Sequence, residues 1–348
     1  MILVSLRDLQ FRRRRFAVGV AGTALVLGIT LVLSGMTTSF DNEARLSTNA
    51  FNAEAWVVPE GSSGAFLSSA TMPVSVADEV SASTGAAAAP IALLFGKIPI
   101  GDTPTQVNVH GVPSGSFAAP SLKEGRAVER PGETVVDAAL DLDVGDTVVL
   151  DEHELQVVGR TDGLTYRAGI ATIHVDFTEA QEIGFGGADL ATAVVSSGAV
   201  AVPPAGTAVL TPRQVQGDLL EPMKAAKAQI TTMQWLLWVV ATMIIGSVVY
   251  LSALDRVRDF AVFKAMGAPD RAVLTGLIAQ SLLLCALSYA VGIAISVVIS
   301  PFMPLRSEVP TYAYFGLAVI AVVVGLASSV AGARRALSVD PALAFGGA

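Results

Sequence analysis

Four long runs without a single acidic or basic side chain divide this chain. They cover Phe16 to Phe40, residues 228–254, residues 272–305 and residues 311–333. A helix needs roughly 20 consecutive apolar residues to cross the hydrocarbon core of a bilayer. The pattern therefore predicts membrane-spanning helices over 16–36, 230–254, 272–300 and 311–333. Trp235 and Trp238 in the second run, and Tyr312 and Tyr314 at the start of the fourth, fall where an interfacial aromatic belt belongs. Residues 190–212 are also free of charge, but Pro203-Pro204, Gly198 and Gly206 interrupt them. That stretch reads as a strand near Ala193–Val195 followed by a loop.

Between the first two spans the period changes from helical to alternating. Ala55–Val58 and Gln106–Val112 read as strands bounded by Pro59 and Pro113. Gly145-Asp146 makes a turn, and the β-rich runs 147–150 and 154–159 beyond it read as a hairpin. A helix is expected after Asp176-Phe177, with Thr178 as its cap. A second helical pattern runs from Arg213 through Lys227 and is expected to continue as a stalk into the second span. The fold class is thus an α-helical membrane protein with four transmembrane helices, carrying an α+β extracytoplasmic domain (residues 37–229) inserted between the first and second spans.

The shorter pieces complete the plan. Residues 1–15 read as a cytoplasmic amphipathic helix, with Ile2, Leu3, Leu6 and Leu9 on one side and Arg12-Arg13-Arg14-Arg15 at its end. Residues 255–271 form a cytoplasmic turn, 301–310 a short outer loop, and 334–348 a cytoplasmic tail that begins with Arg334-Arg335. Small residues recur at helical spacing in the third span (Ala286, Ala290, Ala294) and in the fourth (Ala321, Gly325, Ser329, Ala333). Such stripes let helices pack closely in lipid, within one subunit or between two.

Charge follows the same partition. Mean hydropathy is +0.60 and only 15% of residues are charged, which excludes an ordinary soluble protein. Residues 37–231 hold 24 acids against 10 bases, and the remainder holds 6 against 12. By the positive-inside rule, the acidic domain lies outside the cell and both termini lie inside, in a multi-pass protein of the cytoplasmic membrane. An acidic domain also argues against nucleic acid as a partner. The single cysteine, Cys285, allows no disulfide within the chain and no thiolate metal centre.

The turn between the second and third spans carries more information than a connection needs. It contains Asp255, Arg256, Arg258, Asp259, Phe260, Lys264 and Gly267 in the run Asp-Arg-Val-Arg-Asp-Phe-Ala-Val-Phe-Lys-Ala-Met-Gly-Ala over 255–268. As a helix ended by Gly267 and Pro269, it presents Leu254, Val257, Phe260 and Lys264 on one face, a partly apolar surface suited to docking.

This run resembles the loop after the second span of FtsX/MacB-type ABC transporter permeases, with Asp255 and Asp259 where glutamate is usual. The element around Val144–Gly159 and the ending Ser338-Val339-Asp340-Pro341-Ala342-Leu343-Ala344 resemble parts of the same family, as does the order of one span, a large outer domain and three spans. The resemblance implies a permease subunit energised by a separate P-loop ATPase docked on 255–268. Magnesium-ATP would sit on that partner, and no cofactor is expected in this chain. It further implies a homodimer of permeases in contact with membrane lipid, exporting a hydrophobic or amphiphilic substrate. Two other readings stay open. One is a mechanotransmission subunit that drives an extracytoplasmic protein such as a cell-wall hydrolase. The other is a membrane-anchored binding domain.

The residues themselves bear on mechanism mainly through what is missing. No Asp, Glu, His, Lys or Arg lies within the four predicted spans, which speaks against ion-coupled transport. No Gly-x-x-x-x-Gly-Lys-Ser/Thr occurs, so the chain is not expected to be an enzyme that hydrolyses ATP. His110, His153 and His174 show no ligand spacing, and Asp141, Asp143, Asp146 and Asp151 lack the order of a calcium loop. No metal centre and no catalytic site are expected.

Overall fold

A computed structural model describes residues 13–101, 103–254, 270–302 and 309–337. The chain forms two compact units, one comprising the residues up to Thr38 and from Ala226 onward, the other Ser39–Ala225. Most of the expected N-terminal amphipathic helix, residues 255–269, residues 303–308 and the tail from Ser338 lie outside the described residues.

Helix α1 runs from Arg13 to Asn49, 13 residues past the end of the predicted span, and the boundary between units falls inside it. Within the span, the buried Thr30 hydroxyl donates to the Val26 carbonyl at 2.8 Å, which satisfies a donor inside the apolar segment. Just past it, the Thr37 and Thr38 hydroxyls donate to the carbonyls of Leu33 and Ser34 at 3.1 and 3.0 Å. The last turns of α1 belong to the inserted domain, where Glu43 accepts from the Thr165 hydroxyl at 2.9 Å and Ser47 donates to the Thr165 carbonyl at 3.1 Å.

The inserted domain follows with β1 (Ala55–Pro59), β2 (Met72–Pro73), α2 (Val76–Thr84), β3 (Ala88–Ile100), β4 (Thr103–Val112), β5 (Glu124–Gly125), β6 (Glu133–Asp137), β7 (Thr147–Leu150), β8 (His153–Thr161), β9 (Thr165–Tyr166) and β10 (Ile170–Asp176). Then come α3 (Phe177–Phe185), β11 (Leu190–Ala191), β12 (Ala193–Ser196), β13 (Thr207–Leu210) and α4 (Pro212–Leu220). The main sheet is mixed, in the order β13-β1-β12-β3-β4-β10-β6-β8-β5, with β7 paired to β8 and β9 to β10. β4 and β10 run parallel, as do β6 and β8.

Alternation along the strands sorts residues onto two cores. Ala55 and Val57 of β1 and Val194 of β12 join Val76, Val80, Phe177 and Ala180 from α2 and α3 on one face. Trp56, Val58, Ala193 and Val195 join Phe51, Phe66, Tyr166, Val215 and Leu219 on the other. The sheet is therefore covered on both sides, which is why its central strands read as apolar runs. Gly111 in β4 lets α3 approach closely, since a Cβ there would collide with the Ala180 methyl.

Local chemistry departs from expectation at three places. The cap of α3 is Asp176, not Thr178. Asp176 ends β10 in an extended conformation, and its carboxylate accepts the Thr178 N–H at 2.9 Å. The stalk from Arg213 is not one helix. After α4 the chain makes a 3-10 turn at Glu221–Met223, because Pro222 supplies no N–H, and only then begins α5 (Lys224–Leu254). Finally, Thr207–Leu210 is a strand, paired antiparallel to β1, inside a region read as loop. The membrane unit is completed by α6 (Asp270–Ile299), a 3-10 turn at Ser300–Phe302 and α7 (Thr311–Leu337).

Candidate functional site

Among the described residues, four helices are long and apolar enough to cross a membrane. Their packing in the membrane unit is set by glycines and hydroxyls. A Cβ on Gly28 of α1 would stand 3.0 Å from the Gly292 carbonyl oxygen of α6, and one on Gly292 would stand 3.2 Å from Leu27 Cβ. Between α6 and α7, Ser281 donates to the Gly325 carbonyl at 2.7 Å, with Cys285 buried beside it. Ser329 donates to the same carbonyl at 2.7 Å. Towards one end, the Tyr289 hydroxyl donates to the Tyr314 carbonyl at 2.9 Å, and Gln234 donates to Ser34 Oγ at 3.1 Å.

The small-residue stripes divide between two environments. Ala321, Gly325 and Ser329 of α7 face α6 as an internal seam. The α6 side of that seam is Leu277, Ser281 and Cys285, whereas Ala286, Ala290 and Ala294 are exposed. The buried polar groups in the described spans are hydroxyls and the Gln280 amide, and these spans carry no charged side chain between residues 16 and 38, 228 and 254, 272 and 302, or 311 and 333. Such an interior packs helices but offers no carboxylate or imidazole for a proton relay.

In the inserted domain the structure assembles polar groups that sequence spacing does not connect. His110 of β4 and His174 of β10 meet edge to face at 5.1 Å between ring centroids. Phe51, Phe66 and Tyr166 complete an aromatic shell around His110 at 5.2, 5.8 and 5.7 Å. Neither ring nitrogen of His110 has a hydrogen-bond partner among the described residues. Burial lowers the basicity of both imidazoles, His174 to about 3 and His110 well below the usual range, the latter further disfavoured by the neighbouring His174.

Glu133 makes the opposite arrangement. Its buried carboxylate accepts a two-pronged contact from Arg126 at 2.7 Å per bond and a third from Arg130 at 2.9 Å, which lowers its pKa to about 2. Two acids of the Asp141–Asp146 turn are tied locally: Asp146 accepts the Asp143 N–H at 2.8 Å, and Asp143 pairs with Arg160. A surface hollow of about 490 Å³ is lined by Phe95, Lys97, Gln106, Asn108, Asp151 and Arg167, with the Arg167 guanidinium 4.3 Å from the Phe95 ring centroid. His153 meets Glu179 at 2.6 Å.

The expected coupling residues Asp255, Arg256, Arg258, Asp259, Phe260, Lys264 and Gly267 lie outside the described residues. They occupy the connection between the end of α5 at Leu254 and the start of α6 at Asp270.

Comparison with known proteins bears directly on this architecture. Residues 232–341 match the model for the FtsX-like permease C-terminal domain, a stretch that begins in α5 and includes 255–268. An ABC transporter permease of Mycobacterium tuberculosis is 37% identical over 348 residues, covering all of both chains. A second M. tuberculosis permease and one from Mycobacterium bovis have the same identity and coverage. The chain belongs to the FtsX-like ABC transporter permeases. Among solved structures, this permease is similar to the periplasmic region of MacB from Actinobacillus actinomycetemcomitans (12% identity, TM-score 0.37, 50% of this chain and 96% of that one). It is also similar to the extracellular domain of the noncanonic ABC-type transporter YknZ from Gram-positive bacteria (14% identity, TM-score 0.32, 43% and 84%).

Proposed function

We propose that this permease is the membrane half of an ATP-driven exporter of a hydrophobic or amphiphilic substrate, working as a homodimer with a separate P-loop ATPase docked on residues 255–268. In this reading the inserted domain is extracytoplasmic and both termini are cytoplasmic. The observation that carries it is a membrane unit held by hydroxyls and glycines with no charged side chain in its described spans. With no group there to couple transport to an ion gradient, the energy enters through the cytoplasmic segments. The segment 255–268, with Arg256, Arg258 and Lys264 beside Val257 and Phe260, would be the route by which an ATPase stroke reaches α5 and α6.

One observation favours force transmission to an extracytoplasmic protein as the second reading. Helix α1 is continuous from Arg13 to Asn49, so a membrane-spanning segment and a part of the inserted domain are one element. The experiment that tests both is purification of the permease from its native membranes in mild detergent, with mass spectrometry of co-purifying proteins. A P-loop ATPase in equal amount supports the docking reading, and a further extracytoplasmic protein supports force transmission. Recovery of the permease without an ATPase in several detergents overturns the docking reading.

A further inference from the structure

From the side chains gathered where the β7–β8 hairpin meets the first turns of α3, we infer that the inserted domain binds one divalent transition metal of the zinc class, through His153, Glu179 and Glu182. One potential ligand atom from each residue lies within 4.8 Å of the others. Glu179 and Glu182 are three apart in α3 and so project from one side of that helix. His153 opens β8 directly after the hairpin turn, and its Nδ1 already sits 2.6 Å from Glu179 Oε1.

Three features distinguish this group from an ordinary surface ion pair. First, the Glu179 side chain is only 8% exposed, yet among the described residues neither it nor Glu182 makes a salt bridge to lysine or arginine. Two carboxylates thus converge on a single imidazole, and burying carboxylate charge is costly unless it is paired. A divalent ion supplies the pairing charge. Second, the outer oxygen of Glu179 accepts the Gly132 N–H at 2.9 Å, a bond to fixed backbone that aims the inner oxygen at His153. Backbone bonds of this kind hold the ligands of metal centres in place. Third, Glu182 is exposed and His153 is 31% exposed, so an ion and its remaining water ligands can enter from solvent.

The donor set selects the ion class. One imidazole nitrogen and two carboxylates suit zinc, whereas calcium and magnesium prefer all-oxygen shells. Around a tetrahedral zinc, neighbouring ligand atoms stand roughly 3.3 Å apart, so the His153–Glu179 hydrogen bond opens by about 0.7 Å and Glu182 swings inward. The ion would fasten the β7–β8 hairpin to α3 and make the stability of the domain responsive to extracellular zinc.

The test is calorimetric titration of zinc into the full-length permease, tag removed and chelator-treated, in lipid nanodiscs. The expected result is one zinc per chain, with an affinity unaffected by a large excess of magnesium. His110 and His174 are 1% and 3% exposed and do not compete for the metal. Glu182→Gln should weaken binding at least about tenfold and His153→Ala more, as removal of one ligand of three requires. Because Glu182 is exposed, its variant retains the fold and decides the matter even if His153→Ala is poorly expressed. Absence of binding at about 100 µM zinc, or binding within twofold of the parent in Glu182→Gln, overturns the assignment.

Discussion

The Ser281 hydroxyl donates to the Gly325 carbonyl across the α6–α7 seam at 2.7 Å. The contact exists because position 325 has no side chain: a Cβ there would lie 2.9 Å from Cys285 Sγ and 3.0 Å from Ser281 Oγ. Gly325→Ala therefore drives the two helices apart or displaces both polar side chains, and overpacking of this kind costs about 1–3 kcal/mol. Gly316, in the same helix, has open space around it. Thermal unfolding of the purified permease in detergent should show a lower midpoint for Gly325→Ala and an unchanged or slightly higher one for Gly316→Ala. Equal behaviour of the two variants would remove the seam from the account.

The docking role proposed for residues 255–268 makes a separate demand. Arg258→Glu reverses a charge in the segment, and Phe260→Ala removes one of its two phenylalanine side chains. Membrane insertion depends on the flanking spans and should be unchanged in both. Recovery of the ATPase with the permease should fall by about tenfold, equivalent to a loss of roughly 1.4 kcal/mol in binding. Quantitative mass spectrometry of the purified complexes measures it, and parental ATPase recovery in both variants would count against this surface.

How much of this was legible beforehand depended on the range of the interaction. The spans are written in the sequence because absence of charge over 20 or more residues has few other meanings in a helix. The β7–β8 hairpin was legible too, since its turn and its alternating strands are contiguous. Contacts between distant segments were not: nothing in the sequence places His153 against Glu179, or Thr207–Leu210 beside Ala55–Pro59. The α6 helix shows the limit most clearly. Two faces carry small residues, Ala286/Ala290/Ala294 and Ser281/Cys285/Ser288, and spacing cannot rank them. The hydroxyls decide, because a buried Ser281 finds a carbonyl on α7, whereas alanine methyls gain little from being inside rather than in lipid. Thr178 and Asp176 present the same difficulty at two residues' range, where either could cap α3 and only backbone conformation chooses.

The hairpin turn itself is built from unfavourable residues. Leu150 pairs with His153, leaving Asp151 and Glu152 as a two-residue loop with φ of 44° and 77°. A turn with both central residues in the left-handed region favours asparagine or aspartate followed by glycine, so Asp151 suits its place and Glu152 does not. Glu152→Gly should stabilise the domain by about 0.5–1 kcal/mol after allowing for the added freedom of the unfolded chain. The midpoint of thermal unfolding should rise by roughly 2–4 °C per kcal/mol for a domain of this size. Glu152→Val should lower it, because a β-branched side chain tolerates this backbone least.

Acid sensitivity of the inserted domain should originate in the His110–His174 pair. Both imidazoles are buried and held neutral in the folded state, His174 with a pKa near 3 in place of the ordinary 6.5. Below about pH 6.5 the unfolded chain takes up protons that the folded domain refuses, so stability is full above that value and falls as pH drops. Each histidine contributes a slope of at most about 1.4 kcal/mol per pH unit, and the His174 share flattens once pH passes its folded value. The facing groups are Phe51, Phe66 and the Tyr166 ring, and the Tyr166 hydroxyl remains neutral over this range because burial raises its pKa further. Trp56 lies in the same cluster at 5.4 Å from Phe66. With Trp235 and Trp238 replaced by phenylalanine it becomes the sole tryptophan and a reporter of this core. Denaturant titrations followed by its fluorescence between pH 7 and pH 4 should show stability falling steadily. His110→Phe places an apolar ring among aromatic ones and removes two buried nitrogens without partners. That variant should be as stable as the parent or more so at pH 7, with a visibly shallower dependence on acid. A slope identical to the parent's would assign the acid sensitivity to other groups, with the Glu133–Arg126 pair the next to examine below pH 4.5.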